Sequence, residues 1–218
     1  MIRVLPRQQQ RDKMPALFPS RVRHNLLALV LLSSVIGLAG CGRGAPPPPP
    51  PGDDWSAEPD PETFDGPKLS VTSSAFEHNG NYPVEYTCDG ASASPPIEWS
   101  GAPEGTKSYA LQVWHVPGPR DIKSYWVLFN IPADVVSLPK NSRGIGTEGL
   151  NGKGRQGYDP MCFKGPGRKK YHITVYALSA DLKLAPDKAT RTELLAALKD
   201  VQLAEGTLTF YYERQPRK

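Results

Sequence analysis

The spacing of hydrophobic and polar positions divides the chain into three stretches. Leu26 to Ile36 form a short apolar run. Between Cys41 and Pro67 apolar side chains are sparse and follow no period, and from Lys68 onward short apolar runs recur between Pro and Gly. Leu69-Ser70-Val71-Thr72-Ser73 alternates as a half-buried strand does, whereas Tyr109 to Trp114 and Trp126 to Ile131 are nearly continuous apolar runs. Tyr171 to Leu178 and Thr207 to Tyr212 are rich in β-branched and aromatic residues, which suit a pleated surface. A single helix is expected where Thr190 and Glu193 have the spacing of a capping box and Leu194, Leu195, Leu198 and Val201 share one face. The pattern predicts a mainly β domain over residues 68–214, an antiparallel β-sandwich with Greek-key features and a few peripheral helices. A domain of this size can bury about 70% of its unfolded surface, enough for one core.

Between Ser137 and Tyr158 lie Gly144, Gly146, Gly149, Gly152, Gly154 and Gly157, with no apolar period among them. A long surface loop near the mouth of any pocket is expected there. Gly152-Lys153 is not a phosphate loop, because the required Gly-x-x-x-x-Gly-Lys-Ser/Thr spacing is absent.

The start of the chain reads as a leader. Arg3, Arg7, Arg11, Lys13, Arg21 and Arg23 precede the apolar run, which closes in Leu38-Ala39-Gly40-Cys41. Basic region, short apolar segment and small residues in that order describe a secretion signal over residues 1–40. The last four residues resemble the lipobox of bacterial lipoproteins, so Cys41 is expected to carry acyl chains and anchor the protein to a membrane of the cell envelope. Gly42, rather than an acid, follows Cys41, which points to the outer membrane where the host has one. Residues 41–67 contain six prolines from Pro46 to Pro51, then Asp53, Asp54, Glu58, Asp60, Glu62 and Asp65. That composition is expected to act as an extended spacer.

Charge changes meaning once the leader is set aside. The whole chain has 26 Lys+Arg and 22 Asp+Glu, but residues 1–40 hold six of the bases and one acid, so the remainder has 20 bases and 21 acids. A net charge near −1 gives no support for a nucleic-acid partner. His78, His115 and His172 have no metal-ligand spacing with one another or with cysteine, and no cofactor motif occurs. Neither metal nor cofactor is therefore expected.

Tyr86-Thr87-Cys88-Asp89-Gly90, followed by Ser94-Pro95-Pro96-Ile97-Glu98-Trp99, is the most specific stretch in the chain. With Tyr125 to Pro132, Gly157-Tyr158, Cys162, Tyr171, Val175 to Leu178 and Tyr211-Tyr212 in order, it resembles the phosphatidylethanolamine-binding protein family in its bacterial Raf-kinase-inhibitor-like branch. The resemblance implies a small cavity at one end of a large sheet that takes anions and phospholipid head groups. It also exposes departures. Where relatives carry an Asp-Pro-Asp-x-Pro segment this chain has His115-Val116-Pro117-Gly118-Pro119, and their His-Trp pair becomes Tyr125-Trp126. Their Gly-Pro-Cys-Pro-Pro loop becomes Pro160-Met161-Cys162-Phe163-Lys164, and their His-Arg-Tyr triplet becomes Lys169-Lys170-Tyr171.

The resemblance therefore places the candidate ligand-binding residues at His115, Tyr125, Lys169 and Tyr171. With acids lost and a lysine gained, the expected ligand is a small anion or a phosphorylated head group. The alternative is a cavity filled by Tyr125, Met161 and Phe163, in a protein-interaction or inhibitor module whose protein partner the sequence leaves unnamed. Trp99 and Trp126 are expected in the core. A Cys162–His115 thiol nucleophile would need a lowered thiol pKa and an orienting third group, which a sequence does not show, and no enzymatic activity is expected. With Cys41 lipidated, Cys88 and Cys162 remain as a pair in an oxidising compartment, where a disulfide is expected. Two reduced thiols are the alternative, since cytosolic relatives also carry cysteines here.

The leader reading makes a direct prediction. Mass spectrometry should find acyl chains on Cys41, and a Cys41→Ala variant should accumulate as a larger, unprocessed precursor; normal processing of that variant would exclude the lipobox.

Overall fold

The computed structural model describes residues 64–118, 121–162, 165 and 167–214. The expected leader, the lipidation site Cys41, most of the spacer, and Phe163 lie outside them. Among the described residues the order is β1 Ser70–Thr72, β2 Gly80–Asn81, a 3₁₀ turn Val84–Tyr86, β3 Ile97–Ser100, β4 Ser108–Gly118, β5 Asp121–Pro132, β6 Ser137–Leu138, β7 Thr147–Glu148, β8 Lys169–Leu178, α1 Arg191–Leu198 and β9 Gln202–Tyr212. All five strands expected from periodicity form. None of these helices is long and apolar enough to cross a membrane.

The strands make a six-stranded sheet ordered β2-β9-β8-β4-β5-β7 and a three-stranded sheet ordered β1-β3-β6. The expectation of an antiparallel sandwich is corrected at one edge: β2 runs parallel to β9, pairing Gly80 with Phe210 and Asn81 with Tyr211. The larger sheet is therefore mixed. The reason is local, since Asn79 takes a left-handed backbone (φ 61°) that turns the chain back along β9, and its amide donates to the Thr209 carbonyl at 2.7 Å. Of the few peripheral helices expected, one α-helix and the 3₁₀ turn are present among the described residues.

Strand alternation decides what each face of the large sheet meets. Tyr109, Leu111 and Val113 of β4, Tyr171, Ile173 and Val175 of β8, and Leu208 and Phe210 of β9 join Val71, Ile97, Trp99 and Leu138 of the small sheet in one buried cluster. The opposite face supplies Ala110, Val127, Phe129, Tyr176 and Leu178 to a second cluster with Leu194, Leu195 and Leu198 of α1. Trp99 and Trp126 are buried, as expected. The capping box forms differently from its usual pattern: the Thr190 hydroxyl donates to the Glu193 carboxylate, not receiving a backbone N–H.

Leu69 joins the outer part of β9, its amide donating to the Glu205 carbonyl at 2.8 Å. Gly206 lies directly beneath this crossing, where a Cβ would stand 2.2 Å from the Leu69 carbonyl oxygen. Any side chain there must push two backbones apart. Gly206→Ala should lower stability by about 1–3 kcal/mol, the usual range for overpacking, and a urea midpoint equal to that of the native chain would refute this account.

Candidate functional site

The central strands carry their side chains to one end of the large sheet. On β4 and β5, Val113 pairs with Trp126 and Trp114 with Ser124, so Tyr125 is the extra residue of a β-bulge. A bulge re-aims the side chains beside it, and here both Tyr125 and Trp126 reach the cluster between the sheets. One step further, His115 pairs with Lys123 on β5. On its other side, Trp114 pairs with His172 of β8, which leaves His115 beside Tyr171 with ring centroids 4.6 Å apart.

Three of the four residues expected at the pocket are thus in contact. His115 Nδ1 and the Tyr125 hydroxyl are 3.1 Å apart, and the Tyr125 and Tyr171 rings meet edge to face at 5.7 Å. Lys169 starts β8 two residues before Tyr171, on the same face, and its charge acts on His115. Burial holds the His115 imidazole down to about 4, against an ordinary 6.5; Lys123 and Lys169 push in the same direction and Asp121 opposes them. Burial raises the Tyr125 and Tyr171 phenols above 10. All three rings are neutral at neutral pH, and none is more than 8% exposed.

What opens to solvent lies on the other side of Tyr125. A cavity of about 190 Å³ is lined by Tyr125, Lys123, Lys153, Asp159, Pro160 and Cys162. Its outer wall is the Gly-rich segment, which hugs the edge of β5: Gly152 donates to the Ser124 carbonyl at 2.7 Å and Asp159 to the Tyr125 carbonyl at 2.7 Å. Asn151 organises this wall, its side-chain carbonyl accepting from the amides of Lys153 and Arg155. The nearly buried Asp159 carboxylate is held by Lys153 at 2.9 Å and Arg155 at 3.2 Å.

The far wall is tied across the chain by the Cys88–Cys162 disulfide, with Cα atoms 5.4 Å apart, so the expected pair is joined. Cys88 donates its amide to the Met161 carbonyl at 3.1 Å, and the Tyr158 hydroxyl donates to the Tyr86 carbonyl at 2.6 Å. Asp89, next to Cys88, is gripped by Nε and Nη2 of Arg214 at 2.7 and 2.6 Å and by the Tyr212 hydroxyl at 3.0 Å. Met161 is fully buried in the core.

The sequence profile of the phosphatidylethanolamine-binding protein family matches residues 72–213. The chain belongs to the phosphatidylethanolamine-binding protein family. Within it, a UPF0098 protein of Methanothermobacter thermautotrophicus is 34% identical over 152 residues, covering 67% of this chain and 99% of that one. A UPF0098 protein of Chlamydia muridarum is 30% identical with the same coverage. The crystal structure of a putative phosphatidylethanolamine-binding protein homolog from Chlamydia trachomatis superposes with a TM-score of 0.64 at 29% identity, covering 68% of this chain and 99% of that one. The crystal structure of E. coli YbcL, described as a new member of the mammalian PEBP family, gives 0.62 at 27% identity with the same coverage.

Seen as a family member, the chain departs from the expected site in two ways. His115 and Tyr171 are interior, so the solvent-facing contacts fall to Lys123, Lys153, Asp159 and Cys162, three of which the sequence reading did not place at the pocket. Lys123 precedes the apolar run from which the strand was read, and the observed β5 extends back over it to Asp121. Lys153 and Asp159 were not legible, because only the folding of the Gly-rich segment against β5 brings them there. The site is also not stripped of acids, since Asp159 supplies a carboxylate from a different segment. His172 stacks on Trp114 at 4.4 Å on the opposite face of the sheet and shares a hydrogen bond with Thr209 at 3.1 Å.

Depressed histidines make the fold acid-sensitive. The folded chain resists protonating His115 until about pH 4, while the unfolded chain takes that proton near 6.5. Its contribution is therefore fully present above about 6.5 and is lost as pH falls towards 4. For His115 the loss amounts to about 3 kcal/mol at 1.36 kcal/mol per pK unit, and His172, also held near 4 by burial, acts in the same direction. A His115→Phe variant should lose less urea stability between pH 7 and pH 4.5 than the native chain, and an unchanged pH slope would contradict the assignment.

Proposed function

We propose that this protein is a lipid-anchored component of the cell envelope whose domain binds a small anionic or phosphorylated ligand in the cavity beside Tyr125. The observation that carries the reading is the charge at that end of the sheet. Lys123 of β5 and Lys153 of the loop line the cavity, Lys123 meeting Asp121 at 2.9 Å in an exposed pair, and Lys169 stands at the same end of the sheet on β8, with His115 of β4 between the two strands. The imidazole is neutral, so attraction comes from the ammonium groups. An ammonium is a compact point charge suited to phosphate, and near a partly desolvated wall it acts more strongly than on an open surface. Asp159 is already engaged by Lys153 and Arg155, which leaves a head group's own amine without an unengaged carboxylate in the cavity lining. A ligand carrying phosphate without an amine suits this lining best. The reading involves no catalytic step and no cofactor.

One observation favours a second reading. The interior behind the cavity is filled by His115, Tyr171 and Met161, so a protein-interaction or inhibitor module could keep the site only as a surface landmark. Titration with inorganic phosphate and with phosphoethanolamine separates the two. On the first reading phosphate raises the melting temperature, by the equivalent of about 2.7 kcal/mol at one hundred times its Kd, and phosphoethanolamine raises it less. Lys169→Ala and Lys123→Ala should each weaken phosphate binding several-fold without lowering the melting temperature of the free protein. No phosphate shift, with a protein that co-purifies, would favour the second reading.

A further inference from the structure

Asn151 fixes the turn that carries two cations of the Gly-rich segment. Its side-chain carbonyl accepts from the Lys153 and Arg155 amides at 3.0 and 3.3 Å, its backbone amide donates to the Arg155 carbonyl at 2.8 Å, and its side-chain amide donates to the Gly157 carbonyl at 3.1 Å. Between the two bases Gly154 takes a left-handed backbone (φ 69°), which glycine adopts without steric cost. The turn brings both cations to one carboxylate: Lys153 Nζ lies 2.9 Å from Asp159 Oδ2, and Arg155 Nη2 lies 3.2 Å from Oδ1. The two bases are not equivalent. Lys153 lines the cavity with Asp159, and Arg155 stands outside that lining.

Exposure decides what each cation can do. The Asp159 side chain is 7% exposed, whereas those of Lys153 and Arg155 are 56% and 66% exposed. A carboxylate so deeply buried needs a cation beside it, because a buried charge left alone is strongly unfavourable. A lysine already largely in water loses little when it leaves an ion pair. With Lys153 as its sole partner, Asp159 would hold the ammonium in place. With Arg155 also there, Lys153 can turn to a ligand while Asp159 stays neutralised.

We propose that Arg155 is the positioning residue of this cavity, holding Asp159 so that Lys153, together with Lys123, binds a small phosphate monoester in its doubly charged form. The inference rests on the anion-binding reading and narrows its ligand. To draw Lys153 from a carboxylate, a ligand must offer it more than one negative charge. A phosphate monoester carries about −1.5 to −2 at neutral pH, whereas a phosphodiester carries a single charge, as the carboxylate does. Arg155 also offsets the repulsion between Asp159 and the incoming anion. Lys123 yields as readily as Lys153, since its pair with Asp121 at 2.9 Å is exposed on both sides. The cavity, about 190 Å³, is smaller than those that take drug-sized ligands, so the group esterified to the phosphate is small.

The test titrates the full-length chain, Arg155→Gln, Asp159→Asn and the double variant with methyl phosphate and with dimethyl phosphate, followed by NMR, in buffer alkaline enough to ionise the monoester fully. Methyl phosphate should bind the native chain about ten-fold more tightly than dimethyl phosphate, the factor that about 1.4 kcal/mol represents. Arg155→Gln should weaken methyl phosphate about five-fold, Asp159→Asn should not weaken it, and Arg155→Gln should have no further effect once Asp159 is Asn, the non-additivity expected of residues in one network. Arg155→Lys, which keeps a cation for Asp159, should bind as the native chain does. A loss of equal size with and without the Asp159 carboxylate would make Arg155 a mere distant charge and overturn the proposal, and so would equal binding of the two esters. Should Asp159→Asn fail to fold, the native chain answers by itself: saturating methyl phosphate should move the Lys153 side-chain resonances and leave the Arg155 guanidinium signals in place, and the reverse pattern refutes the assignment. Absence of binding in both the native chain and Asp159→Asn overturns the anion reading and this inference with it, whereas binding without the coupling leaves the anion reading standing and overturns this inference alone.

Discussion

The antiparallel register of β4 against β8 runs unbroken from Ser108–Leu178 to Trp114–His172, and everything at the candidate site hangs from its end. Because alternate residues face opposite sides, a slip of one position would send Tyr171, Ile173 and Val175 to the helix side and bring Thr174 and Tyr176 into the inter-sheet core. The buried apolar set on one face and the layer under α1 on the other both resist that slip. With the register set, His115 lies beside Tyr171, and the β5 bulge turns Tyr125 towards them. The site is a consequence of core packing rather than an addition to it.

Burial also fixes the charge states at that end. The interior holds His115 neutral and the tyrosines protonated, since a low-dielectric setting disfavours the charged form of each. Charge is left to the rim, where Lys123, Lys153 and Lys169 have water for part of their surface. Asp159 is the exception that shows the rule: a nearly buried carboxylate, it is kept by two cations and by a position on a loop pinned to β5.

The walls of the cavity come from segments far apart in the chain. The Gly-rich segment closes one side through backbone bonds to the part of β5 that β7 does not pair, which keeps those groups from pairing with another chain. The disulfide-bearing segment closes the other, with Arg214 and Tyr212 from the end of β9 bracing Asp89. Core and cavity are thereby held by different bonds: the sheets by register and apolar contact, the walls by hydrogen bonds, ion pairs and one covalent link.

The strands, the helix and the core tryptophans were legible in the sequence, because periodicity and β-branched or aromatic content report directly on which side of an element is buried. The Cys88–Cys162 pairing followed from counting cysteines in a chain expected to be exported, and the family from motifs kept in order. The parallel pairing of β2 was not legible, since two residues carry no period and a left-handed Asn79 redirects the chain. The bulge at Tyr125 was equally silent: a run as apolar as Tyr125 to Ile131 looks the same with or without an extra residue. The division of the expected quartet into a buried trio and a lysine, and the recruitment of Lys153 and Asp159, depended on how a glycine-rich loop docks on a strand edge. Local pattern determined which elements this chain forms and which faces they bury; only tertiary structure decided which charged groups meet at their ends, because those contacts are made between segments whose separation in sequence leaves no periodic trace.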